Sequence, residues 1–399
     1  MPVLRGRNFL QTPGPTNIPD RVLNAMHRPA MEFSGPEFIE LSRSCFTDLA
    51  PLYRHEGEVF IYAANGHGAW EAALVNTLSP GDRILVPHTG NFSASWQLMA
   101  ERHGLIASEI PNDWRQAVDP AAVEEILRAD KGHEIKAVLL VHTDTATGIT
   151  CDVPAVRRAI DAAGHPALFM VDTIASFLTV DVRMDEWGID VAVGAGQKGL
   201  MMPPGLSFNA VSEKALKAAE QATLPRAYWN WADRMERANY RWFCGTAPEH
   251  LVFALREAID MVNEEGLEAI FARHARLSGA VHRAVEAWSK AGVLEFNALI
   301  PEQRAASVTT IRVAEGTDVE ALHVLCRERF NVALGYGLGE LSGRAFRIGH
   351  MGDLNEPMIL GTLGVVETAL KVCGVPHGDD GLGAAVRHLA EATERARAS

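Results

Sequence analysis

Between residues 59 and 208, short apolar runs alternate with amphipathic ones. The runs 59–63, 83–86, 106–110, 137–142, 168–172 and 191–193 read as strands. Stretches 69–78, 93–103, 120–129 and 153–163 repeat their apolar positions at helical spacing. Mostly apolar strands separated by helices predict an α/β layer, with a mainly parallel sheet covered on both faces and linked by right-handed crossovers. Ligands of such sheets bind beyond the carboxyl ends of the strands. From about residue 249 the pattern changes. Helical stretches 251–264 and 267–288 precede a strand at 307–313, a helix at 319–329 and a strand ending near Ile348. A closing helix at 356–373 and a charged amphipathic helix at 384–396 complete a smaller α+β region. The expected division is an N-terminal segment 1–20, a large domain 21–265 and a small C-terminal domain 266–399.

A chain of 399 residues is too long for one simple core, which agrees with two domains. The formal charge of −13 disfavours a nucleic-acid partner, because an acidic surface repels phosphate backbones. An anionic ligand must then be held by local groups. The five cysteines are odd in number and none pairs at metal-ligand spacing, so no metal site is expected. A reduced, cytoplasmic compartment is the expectation. Residues 1–17 lack the apolar core of a secretory signal, and no apolar run has the length of a membrane span.

Six segments carry candidate chemistry. The turn Asn65-Gly66-His67-Gly68 follows a strand and opens a helix. Its glycines let backbone approach a ligand, and its free N–H groups suit a phosphate, although a ligand-free turn has the same pattern. Asp172 ends an apolar strand, where its carboxylate needs a cation, a donor set or a helix to cap. Lys198 follows the strand-and-glycine run 191–197. It is a solvated surface charge or a desolvated amine able to form a Schiff base. Arg347 stands between Phe346 and Ile348, so it requires a carboxylate from the protein or from a substrate. Phe92 is a core aromatic or a ring that stacks on a flat cofactor, and Thr143, Asp144 and Thr145 cap a loop or offer a hydroxyl. Gly194, Gly196 and Gly199 fit the dinucleotide pattern G-x-G-x-x-G, but Pro203 and Pro204 prevent the helix which that site needs.

Taken jointly, these segments resemble the class V aminotransferases of fold type I, closest to the serine–, alanine– or aspartate–glyoxylate branch. The likeness starts at Pro13-Gly14-Pro15-Thr16-Asn17 and runs through Thr145-Ala146-Thr147-Gly148, Gln197-Lys198-Gly199, Pro203-Pro204-Gly205 and Arg347-Ile348-Gly349-His350. It implies pyridoxal 5′-phosphate bound as a Schiff base on Lys198, with Asp172 keeping the pyridine nitrogen protonated. It further implies that Gly66, His67, Gly68 and Gln197 cradle the phosphate. Phe92 and Ile174 then cover the two ring faces, and Thr145 reaches the phenolic oxygen. Arg347 is implied to clamp the substrate α-carboxylate, with Phe33 and Ser34 near the entrance. Thr246 is implied to reach the phosphate of a neighbouring subunit, so the expected active unit is a homodimer.

The chain departs from the family pattern at four places. Gly196 replaces a serine, and Phe243 replaces an aromatic hydroxyl. Glu32-Phe33-Ser34 stands where Asp-His-Arg is usual, and Thr246-Ala247-Pro248 replaces Thr-Pro-Pro. A cysteine desulfurase shares the fold but wants histidine before the lysine, where this chain has Gln197, and a reactive cysteine on a loop. Cys326 lies in a helical pattern instead. A nicotinamide dehydrogenase is the remaining rival from another class.

Overall fold

A computed structural model describes residues 5–235 and 239–398. Its larger layer is a seven-stranded sheet in the order Glu58–Ala63, Leu206–Val211, Val191–Ala195, Leu168–Asp172, Ile135–Val141, Arg83–Pro87, Ile106–Ile110. Only Leu206–Val211 runs antiparallel to its neighbours; the other pairings are parallel. That strand was not among the expected ones. It is wholly buried and carries Ser207 and Asn209, which interrupt the apolar run that marks the other strands.

Strand parity decides what each face meets. Phe169 and Val171 enter one core, while Leu168 and Met170 enter the other, together with Trp70 and Trp96. Asp172 continues the second set. It therefore points to the side covered by the helices Gly66–Thr77 and Asn91–Arg102. Two crossover helices have the expected bounds, Pro120–Ala129 and Val153–Ala163, with Asp119 and Asp152 capping their first amides and proline at the first turn.

The second layer is a five-stranded sheet in the order Phe9–Gln11, Val332–Tyr336, Ala345–Gly349, Val308–Val313, Leu294–Phe296. The helices Leu267–Trp288 and Glu356–Val372 pack on it through a core that holds Trp288, Phe346 and Ile348. Because Phe346 and Ile348 face that core, Arg347 faces the opposite way, toward the larger layer. The first strand pairs in parallel with Val332–Tyr336. The N-terminal segment is thus stitched into the second layer before the chain enters the first.

Burial disfavours the charged form of several imidazoles in this fold. Burial pushes His142 and His350 down to about 4, His274 to about 3 and His282 well below its ordinary value. The unfolded chain binds these protons near the ordinary value of 6.5, the folded chain only at lower pH. Stability present above pH 6.5 is therefore lost as pH falls toward 4, by roughly 1 kcal/mol per pH unit for each imidazole. The helical circular-dichroism signal is expected to collapse between pH 6 and 4. A thermal midpoint at pH 4 equal to that at pH 7 would show that other titrations outweigh these four.

Candidate active site

The carboxyl ends of the larger sheet converge on a cavity of about 310 Å³. Strand Glu58–Ala63 leads into Asn65, Gly66 and His67, and strand Arg83–Pro87 leads into Phe92. Strand Ile135–Val141 delivers Thr143 and Thr145, Leu168–Asp172 delivers Asp172 and Ile174, and Val191–Ala195 delivers Gln197 and Lys198. Eight residues singled out in the sequence thus line one space: Gly66, His67, Phe92, Thr145, Asp172, Ile174, Gln197 and Lys198. A Cβ at Gly66 would press on Cδ1 of Ile174, so a side chain there would have to push the Ile174 side chain aside. Asn65 caps the helix by accepting from the amide of His67 at 3.1 Å.

Asp172 is 4% exposed. One carboxylate oxygen accepts from the backbone amide of Ile174 at 2.7 Å, the other from the indole N–H of Trp70 at 3.1 Å. These donors favour the anion, but burial outweighs them, and with the nearby Asp144 charge the carboxyl is pushed up to about 7. The two N–H groups and the nearby charge of Lys198 do not offset its burial, and among the described residues Asp172 forms no ion pair. Lys198 is equally sheltered. Burial, then the charge of Arg347, pushes its amine down to about 8 against the pull of Asp172 and Asp144. Its ammonium donates to the carbonyl of Pro13, which the N-terminal strap lays across the site. Thr16 fastens that strap, its amide bonding the carbonyl of Gln197 and its hydroxyl that of Lys198, each at 3.2 Å.

Arg347 stands behind Thr145. Its Nε donates to the carbonyl of Tyr336 at 2.6 Å and its Nη1 to the carbonyl of Thr145 at 2.7 Å. A guanidinium has five N–H donors, so three remain, and Nη2 forms no hydrogen bond among the described residues. The Oε1 of Gln197 is likewise buried without a partner.

Other expected residues lie elsewhere. Gly68 packs toward Ala64 and Trp229. Thr246 is exposed, Ser34 is exposed and bonded to Glu32 at 3.0 Å, and Phe33 is half-buried against the first core; none of the three lines this chain's cavity. At Gly196 a Cβ would sit 3.1 Å from Sδ of Met202, so the missing serine would have met a side chain there. Phe243 is buried beside Phe46, with ring centres 5.8 Å apart. Trp70 had no assigned role. Its indole can only donate, and a buried donor at the start of a helix that faces a buried carboxylate has an obvious acceptor. Gly14 and Pro15 also line the cavity.

The dehydrogenase pattern fails on geometry: after Val191–Ala195 the chain makes turns, and the next helix is Glu213–Gln221. Cys326 is buried in the helix Val319–Phe330, and burial pushes its thiol up to about 12, which leaves it unreactive.

The chain matches the Aminotransferase class-V family over residues 8–340. It is 44% identical over 376 residues to the serine–glyoxylate aminotransferase of Methylorubrum extorquens, covering 93% of this chain and 92% of that one. It is 39% identical over 396 residues to the L-aspartate–glyoxylate aminotransferase of Paracoccus denitrificans, covering 99% of each. Among solved structures, the ureidoglycine–glyoxylate aminotransferase of Bacillus subtilis superposes with a TM-score of 0.87 at 26% identity, covering 97% of this chain and 99% of that one. With Lys198 and Asp172 facing one cavity at the carboxyl ends of the sheet, and with a family match spanning most of its length, this chain belongs to the class V aminotransferases.

Proposed function

We propose that this aminotransferase carries pyridoxal 5′-phosphate on Lys198 and moves an amino group from a small amino acid to glyoxylate. The observation that carries this reading is the single cavity shared by a sheltered amine, a buried carboxylate without an ion pair among the described residues and an orphaned amide oxygen. A protonated pyridine nitrogen would give Asp172 the ion-pair partner it does not have among the described residues. Gln197 can turn its amide so that Nε2 donates to a phosphate, next to the amides at the start of the helix Gly66–Thr77. Phe92 and Ile174 supply the apolar surfaces a flat ring needs. When bound, the cofactor supplies an aldehyde carbon that takes amino groups and a ring that accepts electrons.

The chain's own residues do the rest. Lys198 would hold the cofactor through its aldehyde carbon, and its free amine would take the proton from the substrate Cα as a general base. Its lowered pKa makes the free amine available near pH 8. Asp172 would hold the ring nitrogen in its charged form, and Trp70 and the amide of Ile174 keep Asp172 oriented. Arg347 turns its remaining donors toward a carboxylate, which fixes the Cα–H direction. Serine and alanine are the favoured donors. The expected entrance, Glu32-Phe33-Ser34, carries no basic side chain for a second carboxylate.

Glyoxylate is expected to be the best acceptor in a grid of serine, alanine and aspartate against glyoxylate, pyruvate and 2-oxoglutarate. A chain that prefers 2-oxoglutarate with every donor does not fit this reading. Arg347→Ala is expected to raise KM for every donor and acceptor about 100-fold, since a charge-assisted bidentate contact is lost. Steady-state kinetics decide it; unchanged KM values would leave Arg347 with an interdomain role alone.

A homodimer is part of the same proposal. Thr246, Phe33 and Ser34 lie away from this chain's cavity, as they would if they completed the site of a second copy. Sedimentation is expected to give twice the chain mass, and a monomer that retains full activity would refute it. Five unpaired cysteines fit a reducing compartment such as the cytoplasm.

A further inference from the structure

The turn of residues 144–148 joins the two sheet layers carbonyl by carbonyl. The carbonyl of Thr145 receives Nη1 of Arg347 at 2.7 Å, and that of Ala146 receives the hydroxyl of Thr310 at 3.1 Å. The carbonyl of Thr147 receives Nδ2 of Asn297 at 2.9 Å, and that of Gly148 receives the amide of Ala305 at 3.0 Å. Four consecutive acceptors are thus taken by donors from the second layer. A turn that bonds in this way to another layer sets where that layer sits, Arg347 included.

Its other side is fixed by Asp144, which is fully buried. One carboxylate oxygen accepts from the amide of Phe92 at 2.8 Å, and the other from the amide of Ala146 at 2.8 Å. The backbone carbonyl of Asp144 accepts from the amide of Gly148 at 2.9 Å. Residue 90 must be glycine here, because a Cβ would overlap the carboxylate of Asp144. One side chain therefore holds the residue whose ring faces the cavity and the turn that receives the guanidinium.

We propose that Asp144 is a positioning residue of the transamination: it locks the 144–148 turn to the helix start at Phe92, and so fixes the Arg347 clamp relative to the Phe92 ring. A carboxylate suits this role because it accepts at both oxygens, whereas an amide accepts at only one. Its charge also acts on the groups around it. It favours the charged forms of Arg347 and Lys198 and opposes ionisation of Asp172.

The inference rests on the cofactor reading above, so the test starts from wild-type holoenzyme. A wild-type protein that takes up no pyridoxal phosphate would refute that reading. Asp144→Asn keeps the shape but loses one acceptor. In the wild-type background it is expected to raise KM for the oxo acid about tenfold, with kcat within about threefold, and to weaken pyridoxal-phosphate affinity about tenfold. In an Arg347→Ala background the KM effect is expected to shrink below about twofold, and in a Phe92→Ala background the affinity effect likewise. A purely structural role would instead give the same factors in every background, and that result overturns the proposal, as does an Asp144→Asn enzyme equal to wild type. Should Asp144→Asn fail to fold, Thr310→Val probes the same turn through the carbonyl of Ala146. A KM rise of about threefold that vanishes with Arg347→Ala supports the proposal, and an unchanged KM overturns it.

Discussion

Lys198→Ala is expected to lower transamination at least about 10⁴-fold while the chain stays folded. Two tasks disappear together: the covalent hold on the aldehyde carbon, and the base that takes the Cα proton. Among the described residues no other amine lines the cavity to replace it. The structural loss is small by comparison. Among the described residues the ammonium makes one hydrogen bond, to the carbonyl of Pro13, so truncation leaves one buried acceptor unpaired at about 1–3 kcal/mol. Removing an amine that burial already holds near 8 recovers part of that. Wild-type protein treated with borohydride is expected to carry the cofactor mass on the peptide that contains Lys198, and the variant to carry none. A variant that keeps a tenth of wild-type turnover, or a wild-type label on another lysine, would remove the basis of the mechanism.

Much of this site was legible in the chain because it lies where local rules are strong. Each strand of the larger layer that ends in a candidate residue was marked by an apolar run. Parallel sheets put such ends on one side. The convergence of Gly66, Asp172 and Lys198 follows from that geometry together with the family likeness. What was not legible depends on contacts between distant segments. The strand Phe9–Gln11 is three residues long and only partly buried, and its place beside Val332–Tyr336 is set by pairing, not by its own pattern. The strap that brings Pro13 to Lys198 could not be read from spacing for the same reason. Asp144 looked like a loop cap, and it is one. Its second bond, to the amide of Phe92 fifty-two positions earlier, is visible only once the helix and the turn are packed. Arg347 illustrates the middle case. Its neighbours Phe346 and Ile348 fixed that it must face away from their core, but not which carbonyls it would meet.

Asp172→Asn is expected to separate activity from stability in opposite directions. Turnover falls about 10³-fold, because an amide cannot hold the ring nitrogen in its charged form, and the electron-accepting character of the ring depends on that charge. Stability of the cofactor-free protein behaves otherwise. The carboxyl of Asp172 is pushed up to about 7 in the folded chain, while the unfolded chain ionises it near 3.8. Between those values the unfolded chain has released a proton that the folded chain retains. The contribution of this group is therefore full below pH 3.8 and is lost as pH rises to 7, by a few kcal/mol. Asparagine has no proton to lose, so cofactor-free Asp172→Asn is expected to melt several degrees above cofactor-free wild type at pH 8. The gap narrows toward pH 5, although the amide leaves Trp70 or Ile174 with a poorer acceptor. Cofactor reverses the order, since a ring cation beside Asp172 stabilises the ionised wild type and offers the variant nothing comparable. Thermal melts at pH 5 and pH 8, with and without pyridoxal phosphate, measure all four combinations. If the variant melts below wild type at pH 8 without cofactor, Asp172 is already paired within the chain, and the cation it lacks is not the cofactor's.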